Sequence, residues 1–180
     1  EGVDNCGWWD IANRTHRAGG ARLGNDVKVF PYAVVGTVPQ DLKFSGEPTT
    51  LEIGDRTVIR EFATLNRGTS ARGRTVVGAD CLLMAYTHVA HDCEVGDHCI
   101  LANAATLAGH VTLEDWVIVG GLVPVHQFVK IGCHAMIGGG WRVPKDVPPY
   151  ATAVGSPLKP VDVNKIGLER RGFNDEAIRT

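Results

Sequence analysis

The chain has 180 residues, 44% of them hydrophobic, which is enough for one domain with a buried core and excludes a disordered chain. Its 18 basic and 20 acidic residues give a formal net charge of -2, so no strong field points to nucleic acid or to a membrane surface as partner. No apolar run reaches the roughly 18 residues of a membrane-spanning helix, and the first residues do not form a signal peptide. The five cysteines show neither metal-binding nor disulfide spacing, so we predict a protein of the reducing cytoplasm.

The earliest pattern along the chain is an aliphatic residue that recurs with a period of six. Its members before residue 60 are Ile11, Leu23, Val29, Val35, Ile53 and Ile59. Two stretches, near 37–52 and 69–76, interrupt the pattern but leave its phase intact. We therefore predict that both are loops ejected at corners of a repeating fold, where repeat proteins often carry binding residues.

From residue 77 onward the same pattern is unbroken. The first positions of the hexads are all aliphatic: Val77, Leu83, Val89, Val95, Leu101, Leu107, Leu113, Val119, Val125, Ile131, Ile137 and Val143. The fifth positions are small or β-branched, with Trp141 as the exception. A period of six fits neither a helical stripe nor separate hairpins, so each hexad predicts one short strand and one corner. The sequence thus predicts an all-β parallel β-helix over residues 1–150, with three hexads in each triangular coil.

Glycine recurs at the second position of the hexad. The positions are Gly78, Gly96, Gly120, Gly132 and Gly138. Glycine adopts backbone angles that other residues avoid, so we interpret this position as the tight corner of the coil.

Residues 151–180 lose the six-residue pattern and form a C-terminal extension. The string GLERRGFNDEAIRT predicts the beginning of a helix there, with Asn174 or Asp175 as its N-cap. A solenoid leaves end coils and flat faces uncovered, so self-association is expected. A homotrimer is the natural assembly for a triangular prism.

Several histidines are expected at one edge of the predicted prism. With 18 residues in a coil, His91 and His110 differ by one coil plus one residue, and His110 and His126 by one coil minus two. Neighbouring coils lie about 4.8 Å apart, so these rings are expected in one cleft. His88 and Asp92 flank His91 and would lie in the same cleft.

Two chemistries suit such a cluster. A neutral imidazole of His91 can take the proton of a sugar hydroxyl that attacks a thioester, with Asp92 fixing its tautomer. Alternatively, three histidines could hold a catalytic zinc, as in the γ-class carbonic anhydrases. Those enzymes place two of their histidines five residues apart, whereas His88 and His91 are three apart, so we favour the general base. Acyl transfer by direct attack requires no metal or bound cofactor.

Longer strings in the chain are more specific than the hexad. In order they are PQDLKFSGEPT, IREFATLNRGT, HVAHDCEVGDHCILANAATLAGHV, VHQF, KDVPPY and GLERRGF. From about Leu23 to the end, they resemble the UDP-N-acetylglucosamine O-acyltransferases of lipid A biosynthesis. The resemblance implies a left-handed β-helix that transfers a 3-hydroxyacyl group from acyl carrier protein to the 3-hydroxyl of UDP-N-acetylglucosamine.

Carried over residue by residue, the resemblance implies that His91 is the general base, that Asp92 supports it and that the N–H of Gly109 binds the oxyanion. It implies substrate contacts for the following residues: Gln40, Asp41, Lys43, His88, His110, His126, Gln127, Asn164, Arg170 and Arg171. The last three match the stretch that approaches the nucleotide. Gly139 is implied to set the depth of an acyl groove between subunits, and a glycine there predicts a longer acyl chain.

Three other functions remain open at this point. A solenoid scaffold without activity would not need a cluster of histidines beside an aspartate. A related N-acyltransferase of the same pathway shares the fold, but the strings QDLK, VHQF and RRGF favour the O-acyl enzyme. An acetyl-CoA-dependent hexapeptide acetyltransferase would be separated by testing acetyl-CoA as the donor.

Overall fold

The computed structural model describes residues 10–11, 16–17 and 19–179 of the chain. Within this part, three short strands and three corners make one coil, and the coils stack into a left-handed parallel β-helix. The first nine residues of the predicted 1–150 domain, and residues 12–15 and 18, lie outside the described residues. Neither of the two helices in the described part has the length and hydropathy needed to cross a bilayer.

The strands form the three faces of a triangular prism. In chain order they are β1 (Asp10–Ile11), β2 (His16–Arg17), β3 (Ala21–Leu23), β4 (Lys28–Val29), β5 (Val34–Thr37), β6 (Thr50–Ile53), β7 (Val58–Ile59), β8 (Thr64–Asn66), β9 (Arg74–Val77), β10 (Leu82–Leu83), β11 (His88–Val89), β12 (Glu94–Val95), β13 (Ile100–Leu101), β14 (Thr106–Leu107), β15 (Thr112–Leu113), β16 (Ile118–Val119), β17 (Pro124–Val125), β18 (Lys130–Ile131), β19 (Met136–Ile137), β20 (Ala151–Val154) and β21 (Lys159–Val163). Face 1 contains β1, β4, β7, β10, β13, β16, β19, β20 and β21. Face 2 contains β2, β5, β8, β11, β14 and β17, and face 3 contains β3, β6, β9, β12, β15 and β18.

The period of six places equivalent residues on top of one another. Leu83 pairs with Leu101, its equivalent in the next coil. Leu83, Leu101, Val119 and Ile137 form one inward column along face 1, and each is 0% exposed. Burying each such side chain contributes about 1.5–3 kcal/mol relative to leaving it in water. The exception in the sequence, Trp141, is also the exception in the fold, since it is 38% exposed.

The corners differ from the sequence interpretation. The backbone turns at the fourth position of the hexad, where residues other than glycine take φ between 55° and 67°, as at Asp80, Asp92, His110 and Phe128. The second-position glycines are needed for space instead, because a Cβ on Gly78 would lie 2.6 Å from the backbone of Gly96 in the next coil. The prediction that these glycines form the corners is therefore wrong: they allow close coil stacking.

Two loops leave the prism from the same edge. Residues 38–49 join β5 to β6, and residues 67–73 join β8 to β9, so both depart between face 2 and face 3. Leu23 still pairs with Ile53, and Ile53 with Val77, in the coils that contain these loops. Relative to an uninterrupted coil, the first loop adds the length of two hexads and the second adds one, which is why the phase survives them. We call this corner row edge 2–3, and name edges 1–2 and 3–1 in the same way.

The C-terminal residues cover one end of face 1. Strand β21 runs antiparallel to β20, and helices α1 (Lys165–Arg170) and α2 (Asp175–Arg179) follow. The Asn174 side chain accepts a hydrogen bond of 2.9 Å from the Ala177 N–H, which confirms Asn174 as the cap of the predicted helix. The β20–β21 hairpin and α1 are not predicted, because they lie outside the hexad pattern on which the strand predictions rest.

Candidate active site

Edge 2–3 brings together most of the predicted site residues. His91, Asp92, Gly109 and His110 lie at its corners, on neighbouring coils. The loop of residues 38–49 adds Gln40, Asp41 and Lys43, and the coil above adds His126 and Gln127. His88 lies just before this edge, on strand β11 of face 2.

The centre of the edge is a hydrogen-bonded histidine and aspartate. His91 Nδ1 lies 2.8 Å from Asp92 Oδ2, and the His91 side chain is 12% exposed while that of Asp92 is fully buried. A carboxylate can only accept, so Nδ1 carries the proton and donates it to Asp92. The neutral imidazole then has its other nitrogen, Nε2, free to accept a proton, as a general base requires.

The Asp92 carboxylate is held by the second ejected loop, residues 67–73. The Thr69 N–H donates to Oδ1 at 3.0 Å and the Thr69 hydroxyl donates to Oδ2 at 2.6 Å. The backbone N–H of Arg72 also points to Oδ1, at 3.3 Å, and the Asp92 N–H donates to Thr75 Oγ1 at 2.8 Å. Sequence reasoning missed these residues, because nothing local indicates that Thr69 meets a residue on the next coil.

These contacts decide the charge of Asp92. Burial is the largest single effect and by itself raises the pKa of Asp92. The hydrogen bonds from Thr69 and His91 outweigh it and hold the pKa of Asp92 below its ordinary value of 3.8. The carboxylate is therefore ionised at neutral pH, which fixes the tautomer of His91.

Gly109 lies directly against the free side of the His91 ring. A Cβ at Gly109 would be 2.6 Å from Cε1 and 2.7 Å from Nε2 of His91. The N–H of Gly109 finds no acceptor among the described residues. On edge 3–1, several of the equivalent N–H groups are capped by a carboxylate, for example that of Ala79 by Asp97 Oδ1 at 2.7 Å and that of Asp97 by Asp115 Oδ1 at 2.9 Å. Edge 2–3 thus leaves an open donor beside an imidazole whose Nε2 is free to accept a proton.

Two further histidines, His110 and His88, lie near His91 and Asp92 and are neutral. His110 meets the His91 ring edge-on, with centroids 5.2 Å apart, and its Nε2 lies 3.7 Å from Asp92 Oδ2. Burial lowers the pKa of His110, although the Asp92 charge opposes the shift. His88 bonds to Thr64 Oγ1 at 2.7 Å, and burial, followed by the nearby His91, lowers its pKa. Both rings can therefore accept or donate hydrogen bonds at neutral pH without carrying charge.

The predicted substrate contacts on this edge are more exposed. Gln40 and Lys43 face solvent, and the Lys43 N–H donates to Asp41 Oδ1 at 2.9 Å, which closes a small turn. The Asp41 charge acts on the pKa of His110, so the loop approaches the histidine cluster. His126 and Gln127 are exposed at the upper end.

Phe128 is a neighbour that the sequence interpretation did not single out. It is 67% exposed and stacks on His110 with centroids 4.7 Å apart. Its position in the hexad, the same as that of His110 one coil earlier, is the signal that could have identified it.

Four predicted residues lie on the other edges. Gly139 is an exposed corner residue of edge 1–2, after β19. Asn164 is buried, caps α1 by accepting from the Gly167 N–H at 3.2 Å, and donates to the His134 carbonyl on edge 3–1 at 2.9 Å. Arg171 contacts the same edge, whereas Arg170 points to solvent. A single chain therefore does not bring these four to His91.

The same corner could in principle attract a cation. One donor atom each from His91, Asp92 and His110 lies within 4.8 Å of the others. Both carboxylate oxygens, however, already accept hydrogen bonds from Thr69 or His91. A cation here would have to displace the His91 hydrogen bond, so the donor set fits a proton-transfer pair better than a metal centre.

Two family models and several named relatives match this chain. Residues 74–109 match the bacterial transferase hexapeptide model, described as six repeats, and residues 146–180 match a model described as UDP N-acetylglucosamine O-acyltransferase, domain 2. A protein of Herminiimonas arsenicoxydans named acyl-[acyl-carrier-protein]--UDP-N-acetylglucosamine O-acyltransferase is 53% identical over 156 residues, which are 86% of this chain and 60% of that protein. A protein of the same name from Verminephrobacter eiseniae is 56% identical over 156 residues, with the same shares of 86% and 60%. The chain thus spans about 60% of the length of these relatives.

Solved structures show the same similarity. The UDP-N-acetylglucosamine acyltransferase of Bacteroides fragilis superposes with a TM-score of 0.93 at 45% identity, covering 96% of this chain and 68% of that one. LpxA of Acinetobacter baumannii superposes with a TM-score of 0.82 at 38% identity, covering 95% of this chain and 78% of that one. The resemblance inferred from the strings in the sequence is therefore confirmed.

Proposed function

Because the chain belongs to the UDP-N-acetylglucosamine O-acyltransferase family, we propose that it transfers a 3-hydroxyacyl group from acyl carrier protein to the 3-hydroxyl of UDP-N-acetylglucosamine, the first step of lipid A biosynthesis. One observation carries the proposal: a general base with a fixed tautomer, His91 on Asp92, lies against an open N–H donor, that of Gly109. Acyl transfer needs a base for the attacking hydroxyl and a donor for the oxyanion, and both must lie next to the same thioester carbonyl carbon.

The proposed reaction follows from these positions. His91 Nε2 takes the proton of the sugar 3-hydroxyl as its oxygen attacks the thioester carbonyl. The carbonyl oxygen becomes an oxyanion that accepts from the Gly109 N–H, and the ionised Asp92 stabilises the imidazolium. When the tetrahedral intermediate collapses, the carbon–sulfur bond breaks and the imidazolium returns the proton to the thiolate. The sequence of steps is complete without a metal or bound cofactor.

The substrate contacts extend the same proposal. Lys43 on the exposed loop supplies positive charge for the carrier's phosphate or for the nucleotide sugar, and Gln40 and Asp41 supply hydrogen bonds beside it. His88 and His110, kept neutral by burial, fit contacts to hydroxyl and amide groups. His126 and Gln127 extend the cleft by one coil.

We propose a homotrimer because one chain does not complete the cleft. Gly139 and the exposed Arg170 lie on other edges than His91, so they reach its cleft only from a neighbouring subunit. Asn164 and Arg171 instead hold the C-terminal extension on their own chain. The acyl chain would then lie between subunits, where exposed Gly139 has no side chain to shorten the groove and favours a longer chain. A cytoplasmic location is supported by the free thiols of Cys81, Cys93, Cys99 and Cys133.

The test is acyl transfer from 3-hydroxyacyl carrier protein to UDP-N-acetylglucosamine, measured on the chain and on His91→Ala. We expect product from the unaltered chain and a loss of about 10² or more in His91→Ala, since a general base contributes about 10²–10⁴. His98→Ala is the matched control, because His98 lies on edge 3–1 and stacks there on Trp116.

Three outcomes would contradict the proposal. If His91→Ala forms product equally well, His91 is not the general base. If the chain transfers an acetyl group from acetyl-CoA in place of the carrier-bound donor, the donor class is wrong. Activity that is lost with a chelator and restored by zinc would favour the zinc hypothesis instead.

A further inference from the structure

The loop of residues 67–73 is built around one side chain. The Thr69 carbonyl accepts from the Gly73 N–H at 2.7 Å, and Thr69 Oγ1 accepts from the Ala71 N–H at 3.2 Å. Thr69 is 6% exposed. Its hydroxyl hydrogen and its backbone N–H both go to Asp92, so the loop closes on itself and on the carboxylate.

The coil does not need this loop in order to turn. The next three corners of edge 2–3, between β11 and β12, β14 and β15, and β17 and β18, connect face 2 to face 3 without an insertion. The extra hexad lies one coil below Asp92, where it covers the carboxylate. The contact with Asp92 therefore explains the position of this loop better than the geometry of the β-helix does.

We propose that Thr69 is a positioning residue, whose hydroxyl and N–H hold the Asp92 carboxylate in the orientation that directs His91 Nε2 towards the substrate hydroxyl. The inference rests on the proposed function and deepens it. Without Thr69, Oδ2 would keep the bond from His91 but lose the 2.6 Å bond that fixes its direction. The ring of His91 would then sample orientations in which Nε2 misses the attacking oxygen.

The surroundings of Asp92 also predict a change with pH. The charged and titratable groups that face it are His91 at 2.8 Å, His110 at 3.7 Å, and Arg72, which bonds to the Asp92 carbonyl and to Glu94. Burial raises the pKa of Asp92 and the Thr69 hydrogen bonds help to lower it. Loss of the hydroxyl therefore raises that pKa, and the carboxylate takes up its proton at a higher pH.

The experiment compares Thr69→Val, which keeps the shape and the N–H but removes the hydroxyl, with Thr69→Ser, which restores it. Thr57→Val is the matched control, because Thr57 is fully buried on edge 3–1 and its hydroxyl bonds to the Gly78 carbonyl at 2.8 Å. We expect kcat in Thr69→Val to fall by about tenfold, as for the loss of one hydrogen bond to a charged group. KM should stay the same, the acid limb of the pH profile should move to higher pH, and Thr69→Ser should recover most of kcat.

A second measurement does not depend on activity. The titration of the Asp92 carboxyl carbon, followed by ¹³C NMR on the folded chain, should move to higher pH in Thr69→Val and stay in place in Thr57→Val. An unchanged Asp92 titration in Thr69→Val overturns the inference, and so does an unchanged kcat and pH profile. Absence of product from the unaltered chain would contradict the proposed function alone, because the NMR titration still decides the role of Thr69.

Discussion

The His91 imidazole has one nitrogen committed and one free, and a short chain of hydrogen bonds produces that difference. Thr69 holds Asp92, Asp92 accepts from Nδ1, and Nε2 is left beside Gly109. The ionised carboxylate can only accept, so it sets the direction of both side-chain hydrogen bonds that it receives. Single atoms therefore set the tautomer of His91.

Gly109 offers a test at this scale. In Gly109→Ala the new Cβ would lie 2.6 Å from His91 Cε1, so the ring must move and Nε2 loses its place beside the N–H. We expect kcat to fall by about 10²-fold, the cost of displacing a reacting group by about 1 Å, while the fold is kept. Circular dichroism would check the fold and the acyl-transfer assay the rate. Gly19→Ala is the control, because a Cβ there meets nothing within 4 Å; equal activity of both variants would contradict the prediction.

At the scale of elements, helix α1 is fixed to the prism by two side chains that the resemblance assigns to the nucleotide. Arg171 Nη2 donates to the Trp116 carbonyl at 3.0 Å, its Nη1 lies 3.0 Å from His134 Nδ1, and its guanidinium lies 5.0 Å from the Trp116 ring centre. Burial lowers the pKa of Arg171, and burial, followed by the Arg171 charge, lowers the pKa of His134. Asn164 caps the same helix. In this chain both side chains dock the extension, which leaves exposed Arg170 the freer of the two arginines.

Replacement of the two arginines separates docking from nucleotide contact. Arg171→Ala should lower the free energy of unfolding by about 1.5–3 kcal/mol, because it leaves the Trp116 carbonyl and the ring without their charged partner. Arg170→Ala should change it by less than about 0.5 kcal/mol, as for an exposed surface residue. Urea unfolding followed by circular dichroism would measure both. Equal losses in the two variants would show that the Arg171 contacts do not stabilise the extension.

At the scale of the whole molecule, exposed apolar side chains border face 2. Phe62, Tyr86 and Leu122 on edge 1–2 are 43%, 61% and 72% exposed, and Phe128 on edge 2–3 is 67% exposed. Phe62 and Tyr86 stack with centroids 4.9 Å apart, which makes a flat apolar strip. Such a strip is typical of a protein interface, and it supports the proposed trimer.

Sedimentation equilibrium tests the assembly. We expect the unaltered chain to sediment at about three times the 19.3 kDa of one chain. Leu122→Asp should dissociate it, since a charge would be buried at the interface, and aspartate tolerates the left-handed backbone at this corner better than leucine does. Val161→Asp is the control, because Val161 is 60% exposed on β21, away from face 2. A monomer from the unaltered chain, or a trimer from Leu122→Asp, would contradict the prediction.

The sequence by itself determined the β-helix, its inward positions and the pairing of His91 with Asp92. Each of these depends on residues that are adjacent or separated by a fixed period, so a local pattern is sufficient to specify them. The break in the hexad at Trp141 and the cap at Asn174 follow from the local sequence for the same reason.

The period predicted the meeting of His91 and His110, but only the tertiary structure decided the contacts that the ejected loops and the C-terminal extension make with the coils. The stacking of coils depends on hydrogen bonds along the whole prism and on the insertion of whole hexads at one edge, which no local window contains. It placed Thr69 on Asp92 and Arg171 on Trp116. It also showed that Gly78 and its equivalents are required by the closeness of the next coil, because the space available to a Cβ is set by neighbours distant in sequence.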